Sequence, residues 1–150
     1  MKSIVIFESI HHNNTEKIAK VIADEIGAEL VNVRKFTDSH KDLDDYDLVG
    51  FGSGIYYGKI HKNIKKFIET TEHIDNQRTF IFTTSGRGKK SFHKKFKELL
   101  ESQGFDVVAE FVCKGFDTFG PLKIVGGINK GRPNEEDLAN AKSFGKSLLG

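Results

Sequence analysis

Residues 3–27, SIVIFESIHHNNTEKIAKVIADEIG, read as a strand, a polar junction and a helix with its stop. Ile4-Val5-Ile6-Phe7 is a short, near-continuous apolar run, the composition of a strand buried on both faces of a sheet. From Ile18 the pattern changes to helical spacing: Ile18, Val21, Ile22 and Ile26 share one face, while Lys17, Lys20, Asp24 and Glu25 take the other. Gly27 then follows as a C-cap. A strand that passes straight into an amphipathic helix is the first half of a βαβ unit.

The same alternation continues along the chain. Further β-rich runs fall at residues 29–33, 48–53, 79–84 and 107–112. Helices are predicted over residues 61–71, over 90–103 with Gly104 as the stop, and over 134–149. The last is announced by Pro133, by Asn134 as N-cap, and by Glu135, Glu136 and Asp137 in the first turn, where acids suit the helix dipole. Residues 34–47 hold either a short helix or a crossover loop. Strands separated by helices predict an α/β, doubly wound five-stranded parallel sheet with right-handed crossovers and helices on both faces. A chain of 150 residues is expected to form it as a single domain spanning 1–150.

Composition narrows the setting. Lys and Arg total 23 against 21 Asp and Glu, so the net charge of +2 does not mark a nucleic-acid binder, and recognition rests on local charge. Cys113 is the only cysteine, which excludes an intramolecular disulfide and agrees with a reducing, cytoplasmic setting; it reads as a small buried apolar residue near a strand end. No apolar stretch is long enough to span a bilayer, so no membrane insertion is expected.

In open parallel sheets ligands bind beyond the carboxyl ends of the strands, where strand order reverses. The first such loop carries Ser9, His11, His12, Asn13, Asn14 and Thr15 into a helix N-terminus, where free N–H groups and the positive dipole end favour an anion such as phosphate. Helix capping by Asn13 or Asn14 beside solvated histidines accounts for the same residues. Walker-type glycine spacing is missing, which argues against an ordinary nucleoside triphosphate. The second loop, Gly52-Ser53-Gly54-Ile55-Tyr56-Tyr57-Gly58-Lys59, sets flat amphipathic rings between glycines, as a stacking site for an aromatic ligand or as a tight turn with a packed tyrosine. The third, residues 83–88 with Thr84, Ser85, Gly86, Arg87 and Gly88, is again rich in hydroxyls and glycine.

Taken with the five-strand alternation, these loops resemble a short-chain flavodoxin over essentially the whole chain. The resemblance implies strand order 2-1-3-4-5 and FMN as cofactor, with no catalytic residue and no metal required. His12-Asn13-Asn14-Thr15 matches the last two residues of the family's Thr-Gly-Asn-Thr phosphate loop, so Asn14 and Thr15 carry over directly and Ser9, His11, His12 and Asn13 are expected to donate beside them. Tyr57-Gly58 matches the ring that stacks on the flavin and the glycine whose peptide turns to accept the N5 proton, with Tyr56 as the alternative ring. Ser53 to Gly58 would line one face, and Thr84 to Gly88 would meet the pyrimidine side. Where the family often places a second aromatic this chain has Arg87, leaving Phe116 or Phe119 of the long segment 114–132 as the outer cover.

The implied function is that of a low-potential electron-transfer protein working between redox partners. The alternative is a flavodoxin-like FMN-dependent oxidoreductase of quinone reductase or protoporphyrinogen oxidase type, whose second loop resembles residues 54–61. Basic residues follow the second loop, Lys59, His61, Lys62, Lys65 and Lys66, and the third, Arg87, Lys89, Lys90, His93, Lys94, Lys95 and Lys97, while Asp38, Asp42, Asp44, Asp45 and Asp47 precede the third strand and belong at the opposite end of the sheet. Fixed positive charge near a flavin favours its anionic reduced form. It also points to redox partner proteins with an acidic docking surface. Nucleic acid is not expected as a partner, because Phe92 and Phe96 fall at core spacing, and a monomer is expected. A phosphoacceptor receiver domain is a poor match, because that class needs acidic residues at the end of the first strand and an aspartate at the end of the third, where this chain has Glu8-Ser9 and Gly52-Ser53.

Overall fold

The computed structural model describes residues 1–8, 14–36, 42–56, 58–85, 90–114 and 132–149. The first apolar run is β1, Ser3–Glu8, and it lies between β2, Glu29–Asn32, and β3, Leu48–Tyr56, in parallel with both. The chain thus leaves β1 in one direction and returns on its other side, which creates the switch point between β1 and β3. The sheet continues through β5, Gln77–Ser85, to β6, Phe105–Lys114, in the order β2-β1-β3-β5-β6. A two-residue strand, β4 (Lys59–Ile60), pairs antiparallel with the end of β3 and lies off this path. The five principal strands therefore have the expected order 2-1-3-4-5.

Among the described residues four α-helices cover the two faces: α1 (Asn14–Ile26), α2 (Lys62–Thr70), α3 (His93–Ser102) and α4 (Glu135–Leu149). Alternate residues of β1 feed separate cores. Val5 and Phe7 pack with Ile18 and Ile22 of α1 and with Ala141 and Leu148 of α4. Ile4 and Ile6 pack with Phe51, with Ile64 and Ile68 of α2, and with Phe96 and Leu100 of α3. This double burial is why the run lacks polar alternation, and each such side chain contributes about 1.5–3 kcal/mol.

The helix ends follow local chemistry. Gly27 adopts φ +68° and the Ala28 N–H closes on the Ala23 carbonyl at 2.9 Å. At the start of α4 the Asn134 side chain accepts the Asp137 N–H at 3.0 Å while the Asp137 carboxylate accepts the Asn134 N–H at 2.8 Å, a reciprocal cap. The expected helix at residue 90 begins instead as a 3-10 turn, Lys90–Phe92. The described residues between β2 and β3 include two such turns, Val33–Lys35 and Leu43–Asp45. Among the described residues no helix is long and apolar enough to cross a membrane.

The largest departure concerns β3. The sequence pattern ends this strand at Ser53 because glycines follow, yet it runs on to Tyr56 and folds back through Ile55–Ile60 and Tyr56–Lys59 pairing. Most of the expected second loop is thus the end of a strand and a hairpin.

Candidate functional site

The carboxyl ends of β1, β3 and β5 lie side by side, with Glu8 opposite Ser53 and Gly54 opposite Thr84. The N-terminus of α1 meets them there. The hydroxyls of Thr15, in the first turn of α1, and Thr84, near the end of β5, are 2.8 Å apart and both residues are buried. The first and third sequence-predicted loops therefore converge on one point. Asn14 is buried beside Thr15 at the same helix start, and Ser85 follows Thr84 half-buried.

At the end of β3, Ser53 is fully buried, and its hydroxyl accepts the His61 N–H at 2.8 Å and donates to the Gly54 carbonyl at 2.6 Å. It serves to close the β3–β4 hairpin. Ile55 is buried with it. The Tyr56 ring lies across Gly54, where a Cβ would stand 2.4 Å from the tyrosine oxygen, and it meets the His61 ring edge-on at 5.6 Å. Gly58 follows at φ +77° with open space on the side where a Cβ would project. Ser9, His11, His12, Asn13, Tyr57, Gly86, Arg87, Gly88, Phe116 and Phe119 lie outside the described residues.

Beneath this end of the sheet is a polar network that the sequence pattern does not mark as such. Glu8 is fully buried, and one of its carboxylate oxygens accepts from Arg34 Nε at 2.9 Å and from Asn63 Nδ2 at 2.7 Å. His61 Nδ1 stands 4.0 Å from the same oxygen and accepts the Asn63 N–H at 3.0 Å, capping α2. An accepting Nδ1 carries no proton, so the proton of the neutral ring is on Nε2. Burial holds the His61 pKa below 6.5; the Glu8 charge works against this, and Arg34 and Lys62 reinforce it.

This shift has a sign that can be measured. The unfolded chain binds a proton at His61 before the folded chain does, so the stability this group contributes is present above pH about 6.5 and is lost as pH falls toward the lower folded value. The urea midpoint is expected to drop between pH about 7.5 and about 5.5 by more in the parent protein than in a His61→Asn variant, whose side-chain oxygen can still cap α2. Equal drops in the two proteins would remove His61 as the titrating group.

A second buried histidine supports the third loop. His93 Nε2 lies 2.6 Å from the Thr83 hydroxyl and Nδ1 lies 3.3 Å from Glu110, which also accepts from Lys97 Nζ at 2.7 Å. Burial acts to raise the Glu110 pKa, and the hydrogen bond and charge of Lys97 outweigh it, so the carboxyl is held below its ordinary range. Cys113 is buried and its thiol is pushed up to about 12, mainly by burial and further by Asp137, so it is not a thiolate nucleophile.

Chemically, the switch-point end offers a helix N-terminus, neutral hydroxyl and amide donors, an aromatic hairpin and a glycine with positive φ. This donor set suits a phosphorylated ligand with a planar ring. A family model described as "Flavodoxin domain" matches residues 4–116. An uncharacterised protein of Methanocaldococcus jannaschii is 49% identical over 151 residues, covering 99% of each chain. The flavodoxin-like domain-containing protein BilS of Clostridioides difficile is 33% identical over 121 residues, covering 77% of this chain and 66% of its own length. Among solved structures, a flavodoxin from the domain Archaea superposes with a TM-score of 0.71 at 19% identity, covering 99% of this chain and 96% of that one.

Proposed function

This chain belongs to the flavodoxin family, and from that premise we propose that it binds FMN across the carboxyl ends of β1, β3 and β5 and carries electrons between redox proteins. The observation that supports this reading most is the 2.8 Å contact between Thr15 and Thr84, which joins the start of α1 to the end of β5 at the switch point. The N–H groups at the start of α1 hold the phosphate, with Asn14 and Thr15 and with Ser9, His11, His12 and Asn13 of the preceding loop. Tyr56 is already engaged by Gly54 and His61, which leaves the stacking role to Tyr57. Gly58, at positive φ with free space beside it, has room for its peptide to turn toward the ring. Thr84, Ser85, Gly86, Arg87 and Gly88 meet the pyrimidine side. Bound FMN supplies the electron chemistry, and the protein supplies its position and electrostatic surroundings.

Fluorescence titration of the apoprotein with FMN tests the reading, with one equivalent expected to bind. Thr84→Val keeps the side-chain shape but leaves the Thr15 hydroxyl without this partner, a loss of about 1–1.5 kcal/mol, so FMN affinity is expected to fall about tenfold. Riboflavin, which lacks the phosphate but keeps the ring that Thr84 meets, is expected to lose affinity to a comparable extent in this variant. Absence of FMN binding would refute the reading. Steady-state reduction of a quinone by NADH would instead class the protein with the oxidoreductases.

A further inference from the structure

Two of the four helices break a rule that the other two obey. The first turn of α1 carries Glu16, and that of α4 carries Glu135, Glu136 and Asp137, as the positive end of a helix dipole favours. The first turns of α2 and α3 hold no acid. Lysines occupy the first halves instead, Lys62, Lys65 and Lys66 in α2 and Lys94 and Lys95 in α3, all exposed, with Lys59 of β4 exposed beside them. The acids arrive only in the second halves, as Glu69 in α2 and as Glu98 and Glu101 in α3. Lys65–Glu69 and Lys94–Glu98 thus have the less favourable order for pairs four residues apart. Lys97, placed in α3 as Lys66 is in α2, pairs with Glu110 at 2.7 Å; among the described residues, none of the other six lysines forms an ion pair with a carboxylate.

Each of these placements costs helix stability, and they share one location. Both helices pack on the same core cluster and touch each other. α2 follows β4, which pairs with the carboxyl end of β3, and α3 begins at His93, whose ring lies 2.6 Å from Thr83 near the carboxyl end of β5. The result is a basic face on one side of the candidate site, while Asp42, Asp44, Asp45 and Asp47 precede the amino end of β3 at the other end of the sheet. A local rule broken twice at the same end of a fold, compensated among the described residues only by the Lys97–Glu110 pair, marks a functional surface.

We propose that the first halves of α2 and α3, with Lys59, form a docking surface for an acidic protein, which would seat beside the ends of β3 and β5. This rests on the proposed function in that it supplies the partner for that site. A protein is favoured over a nucleic acid because the described rings nearby are spent internally. Phe96 is in the core, Phe67 packs on Phe36 and Phe51, and Tyr56 lies on Gly54, so none of these described rings serves as a platform for bases.

The test uses the full chain and fluorescein-labelled poly-L-glutamate as the acidic probe, followed by fluorescence anisotropy. Binding is expected to weaken at least about tenfold between about 20 mM and about 200 mM salt, because exposed charges are screened. A Lys65→Glu, Lys94→Glu double variant is expected to lose at least about tenfold in affinity at low salt, whereas Lys142→Glu, Lys146→Glu, with the same charge change on α4, should lose much less. Thermal unfolding of the first variant is expected to show no loss of stability, since acids replace lysines near two helix starts. Equal losses in the two double variants, or tighter binding of a labelled single-stranded RNA than of polyglutamate, would overturn the proposal. FMN titration of the same proteins keeps the two readings apart: failure to bind FMN counts against the proposed function, while the polyglutamate comparison decides the surface by itself.

Discussion

Gly52→Val is expected to cost about 3 kcal/mol of folding stability, the upper part of the range for overpacked cores. Gly52 lies in the middle of the sheet, opposite Phe7 of β1 and Phe82 of β5. A Cβ at this position would stand 2.0 Å from the tip of the Phe82 ring. That ring has nowhere to go, because Phe82 is fully buried and stacks on Phe80 with centroids 6.2 Å apart. Phe80 is seated in the same way over Gly50, where a Cβ would be 2.2 Å from its ring. Glycine interrupts strands at a cost of about 0.5–1 kcal/mol, and here that cost makes room for two phenyl rings. For a protein of this size the loss corresponds to a fall in Tm of roughly 6–12 °C. Adding Phe82→Ala should partly relieve the clash, so the double variant is expected to be more stable than the sum of the two single losses. A Tm change under about 2 °C for Gly52→Val alone would mean that the strand yields and the ring is not confined.

The same glycines explain why β3 was only partly legible in the sequence. Gly52 and Gly54 carry the signal of a loop, but each accommodates a ring, Phe82 across the strand pair for the first and Tyr56 for the second. Only pairing, which no residue announces alone, separates a glycine that turns the chain from one that seats an aromatic. β1 and α1 were legible because their evidence is local: a short apolar run, a change to helical spacing, and Gly27 at positive φ. At the site, Thr15 and Thr84 could each be picked out as hydrogen-bonding residues at strand-to-helix junctions, and their contact could not, since 69 positions separate them. Glu8 shows the limit most clearly. It reads as the polar end of a strand, while its partners Arg34 and Asn63 lie 26 and 55 residues away. Neither partner has a pattern that points back to it.

Glu8→Ala is expected to cost about 3 kcal/mol, for reasons that also bear on the site. The carboxylate is fully buried and holds two donors on one oxygen, so its removal loses two charge-assisted hydrogen bonds worth about 1.5–3 kcal/mol each before relaxation. Relaxation recovers part of this, because the Arg34 side chain is 52% exposed and can return to water. Asn63, half-buried in the first turn of α2, recovers less. Glu8→Gln preserves the shape and one acceptor, so its cost should be about half as large, and a midpoint shift in urea larger than that of Glu8→Ala would contradict this order. The neutral side chain has a second effect. The Glu8 charge pulls the His61 pKa upward against burial, so Glu8→Gln is expected to lower that pKa further, measured by NMR titration of the ring proton. A rise would mean that the carboxylate does not face the imidazole as charge. His61 in turn donates its backbone N–H to the Ser53 hydroxyl and its ring meets Tyr56 edge-on, so a buried acid beside that ring helps to set the hairpin next to the proposed flavin site. Weaker FMN binding in Glu8→Ala than in Glu8→Gln, at temperatures where both remain folded, is the expected signature of that coupling.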